Sequence, residues 1–182
     1  MRIIAGLAKG KKLLSPQGQA VRPTSDRVKE ALFNILQFQV EGRCFLDLFA
    51  GSGQVGLEAL SRGAECAAFV DASKKSVEII EGNIEICGFG GKARVYHGDS
   101  VAFIRHAPRK FDVIFIDPPY KTGLIGEVLP HAAEAVSQGG VVICEHPRDE
   151  ALPESAGALK KAKDYRYGNI VLTAYRKGIK TE

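Results

Sequence analysis

The sequence has no tryptophan, a single methionine, and only 8 prolines and 4 cysteines among 182 residues. No apolar run approaches the ~18 residues that cross a bilayer, and the opening Met1-Arg2-Ile3-Ile4-Ala5-Gly6 has no apolar stretch of the signal-peptide type. Neither a membrane protein nor a secreted one is expected, and the expected compartment is the cytoplasm. The cysteines (Cys44, Cys66, Cys87 and Cys144) form no CxxC pair and have no histidine at ligand spacing. They read as small buried hydrophobes in a reducing compartment, not as a disulfide or metal set. His97, His106, His131 and His146 show no nucleophile or metal pattern. No metal site is expected.

What remains is an ordinary globular composition, 45% hydrophobic and 25% charged. The length suits one domain with a core of its own. Net charge is +4, unevenly spread. Residues 1–43 hold 8 Lys/Arg against 3 Asp/Glu, residues 44–159 hold 10 against 16, and residues 160–182 hold 7 against 2. An acidic body between basic ends points to an anionic partner met by the ends, unless these are simply solvated faces.

From Cys44 onward, short apolar runs alternate with helical periodicity. Strands are predicted at 44–48, 67–70, 93–96, 111–116 and 141–144, with helices at about 55–61, 73–87, 100–106 and 126–136. Ser73 is placed to cap the second of these helices and Gly88 to stop it. This alternation predicts a doubly wound α/β fold with a mostly parallel sheet. Residues 160–165 and 169–175, flanking Arg166-Tyr167-Gly168-Asn169, read as an antiparallel hairpin at the sheet edge. Residues 1–43 read as a small basic extension, a hairpin from Arg2 to Leu14 and then a helix with Val28, Leu32, Ile35 and Leu36 inward. Residues 44–182 form the catalytic domain in this division.

In such sheets ligands bind beyond the carboxyl ends of the strands. The conspicuous residues fall there: Asp47 and Gly51-Ser52-Gly53-Gln54-Val55-Gly56, then Asp71, then Asp99-Ser100, then Asp117-Pro118-Pro119-Tyr120. The glycines match a dinucleotide fingerprint or a plain tight turn. Asp47 disfavours pyrophosphate, which it would repel, and suits a ligand carrying an ammonium and a sulfonium, as S-adenosylmethionine does. Asp71 is placed to accept from ribose hydroxyls or to serve a helix N-terminus. Asp99 either accepts from an adenine amine or caps a helix. Two prolines in Asp117–Tyr120 fix an extended bend with exposed carbonyls. A carboxylate beside such a carbonyl would take both protons of an exocyclic amine, and Tyr120 offers a ring for stacking.

The run from Asp47 to Gly56 and the Asp117–Tyr120 tetrapeptide resemble the motifs of class I S-adenosylmethionine-dependent amino-methyltransferases. Arg2-Ile3-Ile4-Ala5-Gly6, Gly10-Lys11-Lys12-Leu13, Arg22-Pro23-Thr24-Ser25-Asp26-Arg27 with the helix after it, and Glu58-Ala59-Leu60-Ser61-Arg62-Gly63-Ala64 narrow the resemblance to the RsmD family. That family methylates the guanine exocyclic amine at one position of bacterial 16S rRNA. The resemblance implies that Asp47, Gly51, Gly53, Asp71, Asp99 and Ser100 hold the cofactor and that Asp117, Pro118, Pro119 and Tyr120 form the catalytic corner. Arg22, Thr24 and Arg27 would flank its mouth, with Lys9, Lys11 and Lys12 on RNA phosphates. Gln54 departs from the pattern, standing where a small or apolar residue is expected.

The expected partners are small-subunit rRNA or an assembling subunit, with the enzyme a monomer. Three rivals share some of these features: a DNA adenine or cytosine amino-methyltransferase, an NAD-dependent oxidoreductase, and a non-catalytic RNA-binding module. The first would usually need a target-recognition region larger than the first 43 residues. The second leaves Asp117–Tyr120 without a use, and the third has no use for the glycine loop.

Overall fold

The computed structural model describes residues 1–16 and 25–178. The chain runs α1 (Asp26–Leu36), β1 (Cys44–Asp47), α2 (Gln54–Ser61), β2 (Cys66–Asp71), α3 (Lys74–Cys87), β3 (Ala93–His97) and α4 (Ser100–Arg105). It continues through β4 (Phe111–Ile116), α5 (Leu124–Ala135), β5 (Val136–Pro147), β6 (Ser155–Ala156), β7 (Leu159–Tyr167) and β8 (Ile170–Lys177). The strands form one eight-stranded sheet in the order β3-β2-β1-β4-β5-β8-β7-β6. Pairing is parallel from β3 to β5 and antiparallel from β5 to β6. The chain winds outward from β1 in one direction and from β4 in the other, so strand order reverses between them. That reversal opens a crevice at their carboxyl ends.

Period-two alternation divides the core between the two faces of the sheet. Phe45, Phe69, Val113, Phe115 and Ile143 pack with α1, α2, α3 and the first 13 residues. Leu46, Ile114, Ile116, Val142 and Cys144 pack with α4 and α5. Ser73 caps α3 by accepting from the Ser76 amide, and Gly88 ends it at φ +78°. The predicted hairpin forms, with Tyr167 opposite Ile170 across Gly168-Asn169.

Several details depart from the sequence-based expectation. β5 begins at Val136, and Gly139-Gly140 lie inside it, at a register shift against β4. The proposed Arg2–Leu14 hairpin reduces to one antiparallel bridge, Arg2 to Lys12. β6 is an edge strand with no sequence signal. Cys44 and Cys66, expected as separate thiols, are joined in a disulfide. They are 22 residues apart in sequence, but the β1–α2–β2 crossover sets them directly opposite one another, with Cα atoms 4.8 Å apart. Cys87 and Cys144 are the buried free thiols, and burial pushes the Cys144 thiol far up.

The first residues are bound to α2 by buried polar groups. Glu58, fully buried, accepts from the amides of Ile4 (2.8 Å) and Ala5 (3.0 Å) and from Arg62 Nε (2.8 Å). Its other charged neighbour is Lys29 Nζ on α1, at 3.9 Å. Lys29 is itself fully buried and donates to the Arg2 carbonyl at 2.7 Å. Burial holds its pKa below the usual lysine value, against the pull of Glu58 and Asp26. The Ser61 hydroxyl donates to Ala5 O (2.5 Å) and accepts from Ala8 N–H (2.9 Å).

Removing one member of a buried, hydrogen-bonded charge cluster strands the others, typically at about 3–5 kcal/mol. Glu58→Ala is therefore expected to lower unfolding free energy by about 3 kcal/mol in urea titrations and to open residues 1–13 to proteolysis. Unchanged protease resistance there would mean that apolar packing alone holds the segment.

Candidate active site

A cavity of about 940 Å³ lies over the carboxyl ends of β1, β2, β3, β4 and β5. Asp47, Gly51, Asp71, Asp99, Ser100, Asp117, Pro118, Pro119 and Tyr120 line it, so these site residues, read from the sequence, are brought together. Met1, Ser15 and Pro16 also reach its wall, as does Ser25 just before α1. Gly53 lies off the wall, and so do Lys9, Lys11, Lys12 and Arg27, which are exposed elsewhere. Arg22 and Thr24 lie outside the described residues.

The loop after β1 takes its shape from backbone bonds that tie it to neighbouring strands. Leu48 N–H donates to Phe115 O (3.0 Å), Ala50 N–H to Val70 O (2.9 Å) and Gly53 N–H to Ala50 O (2.7 Å). Gly51 and Gly53 adopt φ +57° and +75°, the left-handed region that L side chains rarely enter. Gly56 is required for a different reason. A Cβ there would come within 2.4 Å of the Phe69 ring, so α2 packs flush against β2 only with glycine at this position. Of the three fingerprint glycines, only Gly51 faces the cavity; the other two shape the loop and seat the helix.

The aspartates divide the work of positioning the loop. Asp71 Oδ2 accepts from Gly51 N–H at 2.8 Å and Oδ1 from Ser73 N–H at 2.9 Å, so it fixes the loop and the entry to α3. Each oxygen keeps lone-pair capacity for a further donor. Asp99 caps α4 through the Ala102 amide at 2.7 Å while remaining on the cavity wall, so the cap geometry is present together with access to a ligand. Ser100 spends its hydroxyl on Leu48 O at 2.6 Å, tying α4 to the end of β1. Gln54 accepts from Lys29 Nζ at 3.4 Å and is buried. This gives the departure at position 54 a local reason: a polar side chain meets a buried ammonium.

Asp47 is 2% exposed and accepts from Gly56 N–H at 3.0 Å. Burial pushes its carboxyl up to about 7, with Asp71 adding to the rise and the Gly56 amide opposing it. At the far wall, Asp117 leaves the end of β4 and the Pro118-Pro119 bend carries Tyr120 over the cavity. Thr122 Oγ1 donates to Pro119 O (2.7 Å), and Lys121 pairs with Asp149 at 2.7 Å. Lys121 has φ +60°, in the left-handed region that a residue with a side chain rarely adopts, so the corner is held in a strained turn.

The sequence reading missed Glu145, on β5. It is 3% exposed, lines the cavity and accepts from the Tyr120 hydroxyl at 3.2 Å. A single acidic residue in an apolar strand run was its only sequence signal. With it, the cavity carries five carboxylates, and no Lys or Arg stands among the described lining residues. No group of three or more potential metal ligands occurs among the described residues, and no helix there is long and apolar enough to cross a membrane.

A family model described as conserved hypothetical protein 95 matches residues 1–176. The chain is 37% identical to the YlbH protein of Bacillus subtilis (strain 168), over 97% of this chain and 99% of that one. It is 34% identical to the ribosomal RNA small subunit methyltransferase D of Haemophilus influenzae, over 88% of this chain and 87% of that one. Among solved structures, the yhhF protein of Escherichia coli matches with a TM-score of 0.88 at 30% identity, covering 99% of each chain. A protein of Thermus thermophilus matches with a TM-score of 0.80 at 34% identity, covering 96% of this chain and 98% of that one.

The position of Asp47 sets a pH dependence. Its pKa rises from 3.8 unfolded to about 7 folded, so the unliganded fold is relieved of its cost below pH 4 and bears it fully once pH passes 7. Asp47→Asn keeps an acceptor for Gly56 without the charge. At pH 8 the variant is expected to be more stable by as much as ~4 kcal/mol, at ~1.4 kcal/mol per pKa unit. The gap should narrow steadily from pH 7 toward pH 4 in thermal or urea unfolding. A gap that ignores pH would show that Asp47 is not the titrating group.

Proposed function

This chain belongs to the RsmD family, whose model carries the description conserved hypothetical protein 95, and from that premise we propose that it transfers a methyl group from S-adenosylmethionine to the exocyclic amine (N2) of a guanine in small-subunit rRNA. The observation that carries the reading is the sign of the cavity. Five acidic side chains and no described Lys or Arg line it, which favours a cationic cofactor and repels the pyrophosphate of a dinucleotide.

The residues present fit the cofactor. When bound, it supplies a methyl group on a positively charged sulfur. Asp47 would answer its ammonium, Asp71 its ribose hydroxyls and Asp99 its adenine amine, while the Ser100 hydroxyl keeps α4 locked to the end of β1. The Gly51 turn allows close approach of the backbone.

The amine of guanine is a poor nucleophile because its lone pair is conjugated into the ring. Asp117 and the Pro118 carbonyl accept hydrogen bonds from its two N–H groups and turn the lone pair out of the base plane. Their negative ends also stabilise the positive charge that would develop on nitrogen as the carbon–nitrogen bond forms and the methyl–sulfur bond breaks, its electron pair staying on sulfur. Holding the amine in line with the methyl group supplies much of the remaining acceleration. The proton leaves after attack, when the nitrogen has become acidic, toward Asp117 or water. Tyr120 provides a face for the base, which must leave its stack to reach the corner.

Lys9, Lys11, Lys12 and Arg27, which lie off the cavity wall, are the candidates for phosphate contact, and the sequence adds Arg22 and Thr24, outside the described residues. Lys11 is already committed in part, since its Nζ donates to Ile86 O at 2.6 Å near the end of α3.

The test is transfer of labelled methyl to unmodified small subunits, free rRNA and duplex DNA, with the product digested to nucleosides. N2-methylguanosine from the ribosomal substrates alone is the expected product. Asp117→Ala should cut transfer at least ~100-fold while cofactor affinity stays near wild type. Equal loss of both would assign Asp117 to the cofactor site, and label in DNA adenine or cytosine would overturn the substrate.

Replacing Lys9 and Lys12 with alanine should flatten the dependence of RNA affinity on salt, by ~0.7–0.9 in log–log slope for each phosphate that is no longer neutralised. An unchanged slope would take this patch out of the interface.

A further inference from the structure

We propose that Glu145 is the specificity-determining residue that makes this corner accept guanine and reject adenine and cytosine; the inference rests on the methyltransferase reading above. The sheet register places it for the task. Phe115 pairs with Ile143 and Ile116, the last residue of β4, with Cys144, so Asp117 follows the end of β4 where Glu145 continues β5. Strand alternation sends the Glu145 side chain to the face of Ile143, and Glu145 and Asp117 both line the cavity. Glu145 is 3% exposed, with Phe115, Leu124 and Ile170 also on the cavity wall. A carboxylate so placed is costly unless donors face it. The Tyr120 hydroxyl is one such donor, at 3.2 Å on Oε1, and it fixes the direction of the carboxylate. Tyr120 thereby links the face on which a base would stack to the group that would read its edge.

Two neighbouring carboxylates match one base edge. Guanine presents adjacent donors, N1–H beside the N2 amine. With Asp117 on the amine, Glu145 accepts from N1–H. Adenine and cytosine also offer an exocyclic amine, but the ring nitrogen beside it carries a lone pair. That lone pair would face the Glu145 carboxylate with no proton between them. Discrimination of this kind, in which a buried polar group is left facing its own sign, is the strong kind.

The experiment uses rRNA carrying 2-aminopurine in place of the modified guanine, once wild-type product mapping has located that position. 2-Aminopurine keeps the exocyclic amine and has an acceptor at N1. Wild-type enzyme is expected to prefer guanine by at least ~100-fold in kcat/KM. Glu145→Gln gives N1 of 2-aminopurine a donor, so guanine transfer should fall at least ~100-fold and the preference should collapse to within ~10-fold of unity. Glu145→Asp, which keeps the charge, should lose rate and retain the preference. Cofactor affinity within ~2-fold of wild type in both variants would show an intact fold.

A preference unchanged in Glu145→Gln overturns the assignment and leaves the enzyme reading standing. Wild-type transfer to adenine or cytosine, or to no base at all, overturns the function reading and this inference with it.

Discussion

The arrangement turns on one buried carboxylate. Glu58 has no solvent contact, and its oxygens are filled by the amides of Ile4 and Ala5, by Arg62, and at longer range by Lys29. It thus gathers the start of the chain, α1 and α2 around a single point. Asn83 on α3 makes a second such link, exchanging bonds with both Leu14 N and Leu14 O and donating to Ser52 O at 2.9 Å. The segment that would otherwise be a loose basic tail becomes a wall: Met1, Ser15 and Pro16 lie on the cavity because these anchors hold them there. The cost of burying Glu58 and Lys29 is offset by their hydrogen bonds, and the pairing fixes one geometry where apolar contacts alone would tolerate several.

The cavity itself follows from topology. Parallel strands end together, so the residues that follow β1, β2, β3 and β4 converge without being close in sequence. The loop bonds then lock them into one unit. Asp71 holds Gly51, Ser100 holds Leu48, and the Phe115 carbonyl holds the Leu48 amide. A shift in any one strand end would be felt at the Gly51 loop and at the Asp117–Tyr120 bend together.

Much of this was legible in the sequence because it rests on local chemistry. The β/α alternation, the Ser73 cap, the Gly88 stop, the glycine turn and the Asp117–Tyr120 bend each need particular residues at particular spacings. What could not be read depends on which residues meet after folding. Lys29 sits in a helix where a lysine ordinarily faces water, and its partners Glu58, Asp26, Gln54 and Arg2 O account for its burial. Cys44 and Cys66 look unrelated until the crossover sets them in register. Glu145 follows a run of apolar residues and gains meaning only beside Tyr120. The need for glycine at position 56 is likewise set by the Phe69 ring, which a Cβ there would meet at 2.4 Å.

The separation of charge explains how one small protein can take a cation and part of a polyanion into adjoining space. The cavity is lined by carboxylates, so a phosphate entering it would meet repulsion in a partly desolvated setting, where screening by salt is weak. The exposed lysines and arginines, among them Lys9, Lys12 and Arg27, lie off its wall. A nucleic acid strand is therefore attracted to the basic exterior and repelled from the interior. Only an uncharged portion of it passes inward at low cost, and in a nucleotide that portion is the base. The electrostatics thus favour an extruded base with its backbone held outside, the geometry that the proposed methylation of an exocyclic base amine would need. Burial, reinforced by Asp71, holds the Asp47 pKa up, and a cation bound beside it would lower it. Cofactor binding and the ionisation of the site are accordingly linked.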